Sequence, residues 1–233
     1  MLTFSGLARF LACPGAPLIT PEVHPKSDYQ RAADIGTKIH TWKETGEIPE
    51  GFDEKWFSGL DRAVLWPYGR HEVVASYDVR TRTAAILPTR QPHRAYPKDS
   101  SPFVIWGTID LLAPPGIDGA VWVDDLKTGL PCDPSDPQLL IAAVVATKVY
   151  ACDKAITSCT RIDRKLRKGK ATRASAVFYL EELNAFEDTV QDAFGKWYME
   201  SLRPKATTNR HLHTNEGCRF CPARNNCNMY GGL

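Results

Sequence analysis

Residues 107–129 read GTIDLLAPPGIDGAVWVDDLKTG, and their pattern decides the fold. Two apolar runs rich in β-branched residues flank a Pro-Pro-Gly-Ile-Asp-Gly turn, as two neighbouring strands would. Side chains alternate along a strand, so Asp125 and Lys127 share one face while Asp124 and Leu126 share the other. With the strand carrying Asp110 alongside, two carboxylates converge and an amine stands next to them. Hard divalent cations such as Mg²⁺ and Mn²⁺ take oxygen ligands of this kind and keep positions open for water and phosphate. A lysine there stabilises charge on a phosphorane or orients the attacking water. An isolated Asp-Leu-Lys reads first as a strand-end ion pair, so its company has to carry the argument.

Upstream, HEVVASYDVR (71–80) and RTAAIL (82–87) extend the run of strands to three or four. Helical patterns come before them. One covers residues 3–11 and ends at Pro14; another opens at Ser27 and places Ala33, Ile35, Ile39 and Trp42 at helical spacing; a third, DEKWFSGLDRAVLW (53–66), puts Trp56, Leu60, Val64 and Leu65 on one side. Downstream, Asp136-Pro137 is a helix start signal opening DPQLLIAAVVATKVYA, a segment apolar nearly all round, as a helix covered by other layers would be. SAVFYLEE (175–182) reads as one further buried strand, and residues 184–203 as an amphipathic helix with Phe186, Val190, Phe194 and Trp197 inward. The expected class is α/β or α+β, a mixed central sheet flanked by helices. One domain is expected over 1–233, comprising a helical part (1–66), a core of sheet and helix (67–182), and a C-terminal helix with a cysteine-rich tail (183–233).

The 233 residues are 43% hydrophobic and 24% charged, the balance of an ordinary globular chain, with no apolar run long enough to span a bilayer. No basic residue precedes the apolar N-terminal stretch and Arg9 interrupts it, so it does not read as a signal peptide; a cytoplasmic protein without membrane partners is expected. A net charge of +2 neither demands nor excludes nucleic acid, but RIDRKLRKGKATR (161–173) carries seven basic residues against one acid. Its Arg164, Lys165, Arg167, Lys168 and Lys170 form either a solvated hairpin tip or a loop that contacts phosphates. Trp106 and Tyr179 are the aromatics that could stack on a single strand, or else core residues.

Two further features bear on chemistry. In GTKIH, Gly36 and His40 lie one helical turn apart, so another element can approach at Gly36 while His40 reaches inward. Cys218, Cys221 and Cys227 are spaced C-x₂-C-x₅-C, which serves zinc or an iron–sulfur cluster equally well by spacing. Cys132, Cys152 and Cys159 read as ordinary core cysteines. Cys13, at the end of the first helix and followed by proline, has a ligand-like setting similar to that of the tail.

The ordered set GTKIH, GTID, DLKTG and a glutamine-initiated helix resembles the RecB-type branch of the PD-(D/E)XK nuclease superfamily, across nearly the whole chain. That resemblance implies a restriction-endonuclease-like core and a metal-dependent deoxyribonuclease. It implies His40, Asp110 and Asp125 as ligands of Mg²⁺ or Mn²⁺, the Leu126 carbonyl as a further ligand, and Lys127 as the catalytic lysine. Gln138 corresponds to the family's glutamine, but the tyrosine usual four residues later is Ala142 here. Glu72 is a weaker candidate for ordering the site. The one-plus-three cysteine pattern resembles the iron–sulfur nucleases of the same branch, the AddB-type helicase-nucleases and CRISPR-associated exonucleases, and implies a 4Fe-4S cluster on Cys13, Cys218, Cys221 and Cys227. Structural Zn²⁺ is the alternative. The expected activity is exonucleolytic on single-stranded DNA ends, alone or with a CRISPR integrase or recombination complex. The rival is a non-catalytic DNA-end-binding subunit of such a complex.

Overall fold

A computed structural model describes residues 2–14, 36–42, 45–52, 54–57, 69–87, 96–97, 101–128, 133–163, 170–202 and 227. A 3₁₀ turn, Phe4–Gly6, leads into α1 (Leu7–Ala12). Helical residues 36–42 (α2) and α3 (Glu54–Phe57) follow. The strands β1 (Arg70–Asp78), β2 (Thr83–Ile86), β3 (Val104–Ala113) and β4 (Val121–Thr128) come next, then α4 (Pro137–Tyr150), β5 (Lys154–Asp163), β6 (Lys170–Tyr179) and α5 (Leu180–Ser201).

The six strands form one mixed sheet in the order β2-β1-β3-β4-β5-β6. Every pair is antiparallel except β4–β5, which is parallel. A parallel pair needs a crossover rather than a hairpin, and α4 is that crossover. The helix starts where Asp136 accepts the Gln138 N–H at 2.8 Å, with Pro137 at its first position, where no intrahelical donor is needed. It packs against β4, β2 and β5 on one side and against α1 and α5 on the other. This double cover is why Leu139, Ile141 and Val144 are buried alike.

Core residues from β1, β3, β4 and α4 merge with Phe4, Leu7 and Phe10 from the N-terminus and Val190 and Phe194 from α5. The opposite face of the sheet carries a smaller cluster in which Ile39 and Trp42 of α2 and Phe57 of α3 meet Leu126 and Ile162. Helices therefore flank a mixed sheet on both faces, the restriction-endonuclease-like α/β arrangement expected from the sequence. Gly107 lets the N-terminal turn dock against β3: a Cβ there would overlap the Phe4 ring.

Several details differ from expectation. SAVFYLEE covers only the end of a hairpin of two ten-residue strands, and Val177 and Tyr179 are exposed rather than buried. The partner strand, KAITSCTRID, has no apolar alternation because its inner polar residues serve a buried acid. Asp124 is 1% exposed and takes Ser158 Oγ at 2.5 Å, Thr160 Oγ1 at 3.0 Å and Arg173 at 3.4 Å. Three polar residues thus occupy a buried patch where hydrophobic ones would be expected, with Arg173 reaching in from an exposed position. In α3 the buried residue is Phe57, with Trp56 half-buried, while Leu60, Val64 and Leu65 lie outside the described residues. Cys159 is buried in β5 and disulfide-bonded rather than an ordinary core thiol. Trp106 is buried and so belongs to the core. Among the described residues, no helix is long and apolar enough to cross a membrane.

Candidate active site

The site forms where β3 and β4 part. Their pairing runs only from Ala113↔Trp122 to Leu111↔Asp124. At the next position the Asp110 side chain replaces a backbone partner: its Oδ2 accepts the Leu126 N–H at 2.7 Å. A buried N–H without an acceptor would cost about 1–3 kcal/mol, so this bond helps hold the split open. Alternation also breaks here. Ile109 and Leu112, three residues apart, both join the main core, which a regular strand would not allow.

Glu72 lies opposite this break, between the paired positions His71↔Leu111 and Val73↔Ile109, with φ of 51°. Left-handed backbone at a buried non-glycine residue costs of order 1 kcal/mol or more and persists only where its surroundings impose it. Here it aims a 5%-exposed carboxylate at His40. His40 Nδ1 lies 3.1 Å from Glu72 Oε1 and 3.7 Å from Asp110 Oδ1. The histidine arrives from α2 on the far side of the sheet. Gly36, one turn earlier, sits against Thr128, where a Cβ would meet Oγ1 at 3.2 Å. The glycine therefore lets α2 approach β4 closely enough for His40 to enter the split.

These three residues bring an imidazole nitrogen and two carboxylates within 4.8 Å of one another. Neighbouring ligands around an octahedral ion with bonds of about 2.1 Å lie ~3 Å apart, close to the separations of Nδ1 from the two carboxylates. The donors are hard oxygens plus one imidazole, and they suit Mn²⁺ or Mg²⁺.

A second trio adjoins the first. Asp125 and Lys127 project from one face of β4, joined at 2.8 Å. Gln138, in the first turn of α4, completes a closed ring by donating to Asp125 Oδ1 at 2.7 Å and accepting from Lys127 Nζ at 3.0 Å. Burial, reinforced by the Asp110 charge, pushes the Asp125 carboxyl up to about 6 despite the attraction of Lys127. Burial alone would lower the Lys127 ammonium, but the charge and hydrogen bond of Asp125 outweigh it and hold it above its usual range. Lys127 thus remains a cation at neutral pH, while Asp125 is an acid whose ionisation a bound cation would favour.

The structure brings together His40, Asp110, Asp125, Lys127 and Gln138. Leu126 adds its backbone to the site and buries its side chain among the α2 residues. Ala142 is buried in the main core, one turn after Gln138. Glu72, the weaker candidate in the sequence, resembles any strand carboxylate until the fold places it against His40. Cys13 ends α1 with its N–H on the Arg9 carbonyl, and neither Cys13 nor Cys227 is in a disulfide. Cys218, Cys221, Arg164, Lys165, Arg167 and Lys168 lie outside the described residues. For Lys170 only the backbone is described, paired with Asp163.

The family model for the PD-(D/E)XK nuclease superfamily matches residues 1–228. No curated protein matches the chain. Nine solved chains match; one, titled "Crystal structure of SSO0001", is similar over 87% of this chain and 72% of that one, with 15% identity and a TM-score of 0.43.

Proposed function

The chain belongs to the PD-(D/E)XK nuclease superfamily, which implies a metal-dependent nuclease, and on that premise we propose a deoxyribonuclease of the RecB-type branch that digests single-stranded DNA from its ends. The observation that carries this reading is the pair of adjoining trios at the split between β3 and β4: His40, Glu72 and Asp110 beside Asp125, Lys127 and Gln138.

A Mg²⁺ or Mn²⁺ ion held by His40, Glu72, Asp110 and Asp125 would supply Lewis acidity towards a phosphate oxygen and a more acidic water. The protein's own groups do the rest. Lys127 sets a positive charge where the pentacovalent phosphorus gathers negative charge. Gln138 fixes the orientation of both Asp125 and Lys127, so neither side chain has to search for its position. The Asp110 carboxylate joins two tasks, accepting the Leu126 N–H through Oδ2 and facing His40 through Oδ1.

The chain acts as one nuclease domain over 1–233 in this reading, with a 4Fe-4S cluster on Cys13, Cys218, Cys221 and Cys227 tying its two ends together. What supports the cluster is the cysteine spacing and the donor chemistry: Cys13 and Cys227 are both partly exposed and outside disulfides. Such a tie closes a loop of roughly 200 residues and restricts the unfolded chain by a few kcal/mol.

The test uses end-labelled single- and double-stranded DNA of each polarity and a circular single strand, with Mn²⁺ or Mg²⁺. Progressive shortening of linear single strands with the circle left intact supports the reading. Cutting of the circle would make the protein an endonuclease, and binding without any cleavage would make it the end-binding subunit of a larger complex.

A further inference from the structure

A nuclease must hold its strand as well as cut it, and the sheet register places an exposed arginine beside the site. In the parallel pair β4–β5, Lys127 is registered with Arg161, which is itself registered with Thr172 on β6. Registered residues on adjacent strands point to the same face, so Arg161 shares the face of Asp125 and Lys127, about 4.8 Å further from β3. Earlier positions on that face are covered. Thr157 lies under the approach to α4, its hydroxyl donating to the Pro134 carbonyl at 2.7 Å, and Cys159 is 1% exposed. The cover ends before Arg161, which is exposed.

The nearby cations differ from Arg161 in one respect. Lys127 is joined to Asp125, and Arg173 reaches Asp124 on the other face. Arg161 forms no ion pair among the described residues. Beyond it the hairpin backbone closes at Asp163↔Lys170, and the intervening sequence carries Arg164, Lys165, Arg167 and Lys168. Among the described residues, positive charge therefore extends from Lys127 across to β5 at Arg161.

We propose that Arg161 binds the phosphate next to the one positioned at Lys127, so that the DNA strand crosses the sheet from β3 towards the β5–β6 hairpin. The planar guanidinium suits this task, because its paired N–H groups match two phosphate oxygens. The proposal rests on the nuclease reading above.

Binding of a labelled oligo(dT) is measured by fluorescence anisotropy over a KCl series, with Ca²⁺ in place of the cleavage-supporting ion. Arg161→Ala is expected to weaken binding roughly tenfold, the loss of one charged hydrogen-bonding group. It should also flatten the slope of log K against log[KCl] by about 0.7, the loss of one phosphate contact on a single strand. Arg161→Lys should restore the slope and only part of the affinity. With Mn²⁺, the alanine variant should show a raised KM and a much smaller change in kcat. Lys196→Ala, on an exposed α5 position paired with Asp192, should bind like the parent. An Arg161→Ala protein with the parental affinity and salt slope overturns this proposal while leaving the nuclease reading intact. A parent protein that neither binds nor cuts DNA overturns both.

Discussion

Replacing Asp125 with Asn should stabilise the metal-free protein above pH 6. Asp125 is 6% exposed and faces Asp110, and its carboxyl is displaced from 3.8 to about 6. Folding therefore favours the neutral form. The stability this contributes is complete below the unfolded value near 3.8 and is lost as pH rises through about 6. The displacement corresponds to roughly 3 kcal/mol at most, with the attraction to Lys127 already inside that balance. Asn keeps the shape of the protonated acid, so the variant should recover part of this energy at pH 8 and none at pH 4. For a domain of about 150–250 residues each kcal/mol moves Tm by ~2–4 °C, which sets an upper bound of roughly 6–12 °C. The assay is thermal unfolding in EDTA across pH 4–8 (roughly the range bracketing both values), repeated with Mn²⁺. The parent should lose stability through pH 6 without metal and regain it with Mn²⁺, whereas the variant should show neither response in full. A variant that melts below the parent at pH 8 in EDTA would refute the reasoning, because burial and like charge would then not be the dominant forces on this carboxyl.

Other perturbations test the frame around the site. Glu187 is 2% exposed and held by the Tyr77 hydroxyl at 2.5 Å and Lys148 at 3.0 Å, so Lys148→Met should cost about 3–5 kcal/mol in chemical denaturation by stranding a buried charge. Glu187→Gln, which keeps the Tyr77 bond, should cost less. Gly107→Ala should destabilise by roughly 1–3 kcal/mol, because its Cβ would press on the Phe4 ring; an unchanged denaturation midpoint would mean that the N-terminus is not docked at β3. If the cluster reading is right, Cys13→Ala should remove iron, sulfide and visible colour together from anaerobically purified protein, whereas a colourless parent containing zinc would replace the cluster with Zn²⁺.

The sequence carried the central strands clearly. The split stretch 107–129 and the Asp136-Pro137 signal are local features, and the alternation rule put Asp125 and Lys127 on one face before any packing was known. Gln138 was legible as the start of a helix, although its ring with Asp125 and Lys127 required that helix to cross back over β4. What escaped depended on long-range contacts. Glu72 acquires its meaning from a histidine 32 residues earlier in the chain and a left-handed backbone that no local pattern announces. β5 was hidden because Ser158 and Thr160 face inward to satisfy Asp124, which defeats any reading based on apolar alternation. Arg161 looked like one member of a basic run until the register placed it beside Lys127.

The most direct measurement pairs Mn²⁺ binding with DNA cleavage in Lys127→Ala. The lysine lies outside the trio of His40, Glu72 and Asp110, so the folded variant should still bind Mn²⁺, followed by loss of the free-ion electron paramagnetic resonance signal. Its cleavage of labelled single-stranded DNA should fall by about 10²-fold or more, the effect expected for removing a group that meets charge developing in the transition state. A Lys127→Ala protein that binds Mn²⁺ and cuts at the parental rate would contradict the assignment of this site as the nuclease centre.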